Sequence, residues 1–130
     1  MYKVFAYINI ALVVLVTAQY WVRKLNQWFF HSKSPKYAKL MKVLRACHKP
    51  AAVALLASIV IHGWLAMGAI TLHTGTVAAA CFFVTALFGL LFYLLHKKGL
   101  LQWHRAFALV SVLLVAVHFF FPWLLSQITF

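Results

Sequence analysis

The sequence predicts an all-α integral membrane protein, a four-helix bundle with a cytoplasmic amphipathic interfacial helix. Of its 130 residues 66% are hydrophobic and only 9% are charged, far outside the range of a water-soluble domain. The apolar residues form uncharged runs, Val4 to Val22, Pro50 to His96 and Ala106 to Phe130, long enough together for four crossings of about 20 residues each. The twelve basic residues, unopposed by any Asp or Glu, gather mainly in two places. A chain of this length holds a few spans and short connections. One transmembrane domain over residues 1–130 is therefore expected, with a lipid membrane around it, no separate soluble catalytic or nucleotide-binding unit, and no nucleic-acid partner.

The first span is read at 4–22. Lys3 ahead of it and "VTA" (Val16 to Ala18) look like a signal peptide and its cleavage site. A retained helix is expected instead, because the chain keeps residue 1 and its orientation must satisfy two basic loops. Arg23, Lys24, Lys33, Lys36, Lys39, Lys42, Arg45 and Lys49 lie between the first and second spans; Lys97, Lys98 and Arg105 lie between the third and fourth. Basic loops face the cytoplasm, so both termini and the turn "TLHTG" (Thr71 to Gly75) are expected outside. The second and third spans are read at 49–69 and 76–95, separated by that turn. The fourth is read at 104–121, with Pro122 ending or kinking it.

Between the first two spans, "SPKYAKLMKVLRAC" predicts the interfacial helix at 34–47. Ser34 can cap it, Pro35 suits its first position, and Tyr37, Leu40, Met41 and Leu44 share one face flanked by Lys36, Lys39 and Lys42. Anionic lipid headgroups are the first expectation for its basic flank, and an acidic protein partner the second.

The lack of any carboxylate side chain removes acid–base pairs, acidic metal cages and Asp-supported triads. Cys47 and Cys81 lie far apart and form no Cys-x-x-Cys motif, so neither a disulfide, a zinc site nor a covalently attached haem is signalled. Histidine is the chemistry left. "HKPAAVALLASIVIH" (His48 to His62) and "HRAFALVSVLLVAVH" (His104 to His118) repeat one spacing. Fourteen residues at about 100° each fall only about 40° short of four turns, so each pair shares a helix face, about 21 Å apart along the axis. A lone histidine in a span is usually a hydrogen-bonded core residue. Two pairs are different: the second and fourth spans run in the same direction, placing His48 level with His104 and His62 level with His118. Pairs facing each other at two depths suit two six-coordinate irons, the pattern of two haem b groups. Small residues, Ala51, Ala52, Ala54, Ala57, Ser58 and Gly63 on one span and Ala106, Ala108, Ser111 and Ala116 on the other, leave room for flat macrocycles or serve helix contact. Two facing histidines make only half a zinc site, and Met1, Met41 and Met67 are too scattered for copper.

These paired helices, "CHKPAAVALLASIVIHGW" and "WHRAFALVSVLLVAVHFF", resemble the di-haem core of b-type cytochromes and of ferric-reductase-like transmembrane domains over about residues 45–122. The resemblance implies that His48, His62, His104 and His118 are axial ligands of two b-type haems carrying electrons across a membrane, here expected to be a bacterial cytoplasmic one. It implies a membrane cytochrome subunit of a larger oxidoreductase rather than a complete enzyme. A cytoplasmic flavoprotein or quinol is then the expected donor, with an acceptor outside. Arg45, Lys49, Lys97, Lys98 and Arg105 are candidate partners for inner propionates, and His73 for outer ones. His31 and His96 read as solvated loop residues. Two alternatives stand beside this reading: a quinol-oxidising membrane anchor, which lacks a carboxylate to take the protons, and a haem-free helical scaffold.

Overall fold

The computed structural model describes residues 1–68 and 72–125. The described residues are all-α, with four α-helices: α1 (Tyr2–Leu25), α2 (Pro35–Met67), α3 (Thr74–Leu95) and α4 (Lys98–Phe120). All four are long and apolar enough to cross a membrane, which makes this an integral membrane protein. Thr71, the first residue of the "TLHTG" turn, lies outside the described residues, as do residue 69 of the second predicted span and the end of the chain from 126.

Two compact units divide the chain: Lys3–Ser58 with Met1, and Ile59–Phe130 with Tyr2. In the first, α1 ends with Arg23 and Lys24 in its last turn, where cations favour the helix dipole. The Lys24 ammonium also sits 5.8 Å from the Trp28 ring. A single π-helical turn, Asn26–Phe30, follows, closed by His31 in the left-handed region at φ 48°. The Asn26 side chain clamps the reversal from both sides, donating to the Ser32 carbonyl at 3.1 Å and accepting from the Ser32 amide at 2.9 Å. Ser34 then caps α2 as expected, its hydroxyl accepting from the Tyr37 amide at 3.2 Å, with Pro35 at the first helical position.

The predicted interfacial helix at 34–47 and the second span at 49–69 are one element. α2 runs unbroken for 33 residues through Pro50, a length of about 50 Å against a hydrocarbon core of about 30 Å. The amphipathic segment is thus its N-terminal extension. Proline removes one backbone donor and crowds the carbonyl four residues back, yet helices tolerate it where neighbours re-satisfy the backbone. The residue four back is Ala46, and Ala51 and Ala52 follow, so little side-chain bulk opposes the ring. The connection expected between the third span, ending at 95, and the fourth, starting at 104, is also shorter than predicted. His96, left-handed at φ 54°, ends α3 by donating its amide to the Phe92 carbonyl, and α4 begins at Lys98. Leu100, Leu101 and Trp103 extend the apolar helix N-terminally, so His104 and Arg105 lie well inside α4 and not at its start. Most basic residues assigned to loops likewise sit on helices, Arg23 and Lys24 on α1 and Lys36 to Lys49 on α2. The C-terminal end matches expectation: α4 stops at Phe120, two residues before Pro122.

In the second unit α3 and α4 pack antiparallel. Their shared interior is small and polar for a folded protein. Thr74, Thr85 and Ser111 are buried beside Ala78 and Phe82, while Leu87, Leu90, Leu109, Leu113 and Phe119 point outward. Such inversion is stable only where the surroundings are themselves apolar and hydrogen bonds help hold helices together. Thr85 donates to its own Cys81 carbonyl at 2.8 Å, so Ser111 is the donor in the 3.2 Å bond between the two hydroxyls. Ser111, wholly buried, therefore serves helix contact and leaves no space for a macrocycle at its own position. Near one end, Phe88 stacks on Phe107 at 5.4 Å and on Trp103 at 6.2 Å.

Candidate functional site: four oriented imidazoles

Each of the four predicted histidines holds its Nδ1 against an oxygen. His48 on α2 meets the Val16 carbonyl of α1 at 2.9 Å, within the first unit. The other three belong to the second: His62 meets the Tyr2 carbonyl at 3.0 Å, His104 the Thr85 carbonyl at 2.8 Å, and His118 the Thr74 hydroxyl at 2.8 Å. A carbonyl can only accept, so Nδ1 carries the proton in the first three. Thr74 donates its hydroxyl hydrogen to the Pro122 carbonyl at 3.1 Å, so it too accepts from His118. In the neutral ring the lone pair then lies on Nε2 in all four cases.

His73 has the opposite arrangement. It caps α3, and its Nδ1 accepts from the amides of Gly75 at 2.9 Å and Thr76 at 3.4 Å. Its proton therefore sits on Nε2, which makes it a donor and separates it from the four. Its ring stacks on that of His118, centroids 5.9 Å apart and planes 20° apart. His73 and His118 thus meet at this end of the second unit.

Glycine makes the close approach to α3 possible. A Cβ on Gly89 would lie 2.9 Å from His104 Nδ1, and one on Gly75 would lie 2.9 Å from His118 Cε1 and 2.7 Å from His73 Cε1. Gly75 and Gly89 are themselves fourteen residues apart, the spacing of His104 and His118 on the antiparallel partner. Each imidazole of α4 thus rests on a glycine of α3 and bonds an oxygen of a nearby threonine, Thr74 beside Gly75 and Thr85 one turn before Gly89. Sequence reasoning missed these four residues, although the repeated spacing was available to find the glycines.

The proposed propionate partners are arranged differently. Arg45 bonds its own helix, Nε to the Met41 carbonyl at 3.3 Å. Arg45, Lys49 and Arg105 are exposed beside or near their histidines, and Lys97 and Lys98 are exposed at the start of α4. His31 and His96 are exposed helix terminators, consistent with their reading as solvated. Among the described residues no group of three or more His, Cys, Asp or Glu could hold a metal ion by itself. Any metal at these histidines needs further ligands from a bound group, as a porphyrin supplies through its four nitrogens.

Comparison with protein families, with curated proteins and with solved structures finds no match to this chain in any of the three.

Proposed function

We propose that the chain is a transmembrane electron carrier, the membrane cytochrome subunit of a larger oxidoreductase, in which His48, His62, His104 and His118 hold two b-type haems. Electrons run from a cytoplasmic flavoprotein or quinol to an acceptor outside. The observation that carries this reading is the common tautomer: every histidine chosen from spacing alone has Nδ1 bonded to oxygen and Nε2 as the lone-pair nitrogen. The donor set fits a group that needs only two protein ligands per iron and brings the rest.

A bound haem would supply the one-electron chemistry. The protein's share is orientation and tuning. The Val16, Tyr2 and Thr85 carbonyls and the Thr74 hydroxyl fix ring angle and tautomer, and by drawing on the Nδ1 proton they raise the basicity of Nε2. The apolar sequence on either side of each histidine favours a low dielectric. His73, with its proton on Nε2, is placed to donate to a carboxylate near His118, and Arg45, Lys49, Lys97, Lys98 and Arg105 supply the cations for carboxylates elsewhere. The Ser58 hydroxyl, one turn before His62, is buried without a hydrogen-bond partner, a donor suited to a polar edge of a bound group.

The test is pigment. Protein purified from cells supplied with haem should carry close to two haems per chain, all extractable by acid–acetone because no covalent attachment motif exists. A colourless protein refutes the proposal and favours the haem-free scaffold. Pigment that resists extraction refutes the b-type assignment.

A further inference from the structure

At the basic end of the first unit a cleft of about 430 Å³ opens among Arg23, Lys33, Ser34, Tyr37, Met41 and Arg45. That volume lies within the usual range of small-ligand sites. Three cations from three places in the chain converge on it: the end of α1, the connection to α2, and the third turn of α2. With no Asp or Glu in the sequence, no side chain can neutralise them, and an anion drawn into the cleft would lower their mutual repulsion. The chain is nonetheless held in this shape by the Asn26 clamp and the Ser34 cap. The α2 N-terminus, at Ser34 and Tyr37, adds the positive end of its dipole to the same space. Met41, buried at 6% exposure, gives the cleft an apolar floor. Arg45 brings a planar guanidinium suited to paired oxygens, and the serine and tyrosine hydroxyls add neutral donors.

We propose that this cleft is a binding site for a phosphate group, carried either on a phospholipid headgroup or free in solution. None of its six residues is a proposed iron ligand, and Arg45 alone is shared with the haem reading, as a candidate propionate partner; a chain that binds no haem can still show the site, and Arg23 and Lys33 test it apart from that reading.

Native mass spectrometry of the full-length chain in detergent, titrated with dioleoylphosphatidylglycerol or dioleoylphosphatidylcholine, tests the proposal. One phosphatidylglycerol should bind at least tenfold more tightly than phosphatidylcholine. Each cation near a lipid phosphate contributes about a fivefold factor, so the double variant Arg23→Gln/Arg45→Gln should weaken that binding roughly thirtyfold. Lys97→Gln/Lys98→Gln, which removes the same charge next to α4, should change it less than threefold. Lys33→Gln lies outside both helices and tests the cleft without risk to them; roughly a fivefold loss is expected. Millimolar inorganic phosphate that displaces the bound lipid identifies free phosphate as a ligand, whereas undisturbed binding identifies the headgroup. Equal affinity for the two lipids with no displacement by inorganic phosphate, or equal losses in the two double variants, overturns the proposal.

Discussion

Gly89→Ala probes the contact on which the His104 geometry depends. An alanine Cβ would sit 2.9 Å from Nδ1 and 3.0 Å from Cε1 of His104, where ordinary contacts begin at 3.4 Å. The ring must retreat by about 0.5 Å, drawing its bond to the Thr85 carbonyl from 2.8 Å towards about 3.3 Å, past the ordinary N–H···O range. Inside a helix, glycine to alanine normally gains about 0.5–1 kcal/mol through backbone entropy. Overpacking at about 1–3 kcal/mol outweighs this, leaving a net loss of about 1–2 kcal/mol. Gly63 is the control, because a Cβ there meets nothing within 4 Å; Gly63→Ala should be neutral or mildly stabilising. The assay pairs unfolding of both purified variants with a redox titration. Gly89→Ala should unfold more readily and move the potential of one haem component while leaving the other in place. Equal stability and unchanged potentials in the two variants would show that the ring does not rest on Gly89, and the reasoning from glycine to imidazole would fail.

Thr74→Val removes the hydroxyl that accepts from His118 Nδ1–H and should cost about 1–3 kcal/mol of stability. It should also raise one haem potential as the imidazole becomes a weaker base, and Thr74→Ser should restore both; a potential that follows packing volume instead of the hydroxyl would count against it. The direction of the helices predicts that His48→Ala and His104→Ala perturb one spectral component and His62→Ala and His118→Ala the other, whereas a shared phenotype for His48→Ala and His118→Ala would overturn that pairing. With twelve basic residues and no acidic one, reduction by a soluble acidic donor should slow as salt rises; stopped-flow rates equal at low and high ionic strength would assign the basic residues to topology and lipid alone.

Membrane residence, helix number and the shared face of each histidine pair follow from the order of residues, because hydropathy and the 3.6-residue period are local properties that any helix expresses wherever it packs. Ser34, Pro35 and Pro122 were legible for the same reason: caps and proline act within a few residues. The continuity of α2 was not, since a proline preceded by a polar pair reads as a boundary, and only the small side chains around Pro50 let the helix pass through. The start of α4 was misplaced because Lys97 and Lys98 suggest a loop, while the left-handed turn at His96 leaves room for a helix directly after it. The tautomers lay furthest from the sequence. His104 bonds a carbonyl nineteen residues away and His118 a hydroxyl forty-four residues away, and which ring nitrogen carries the proton is set by those oxygens. Spacing put two histidines on one face of α4; the antiparallel register of α3 put a glycine under each ring and an acceptor beside each Nδ1, because hydrogen bonds depend on distances across helices that linear order does not contain.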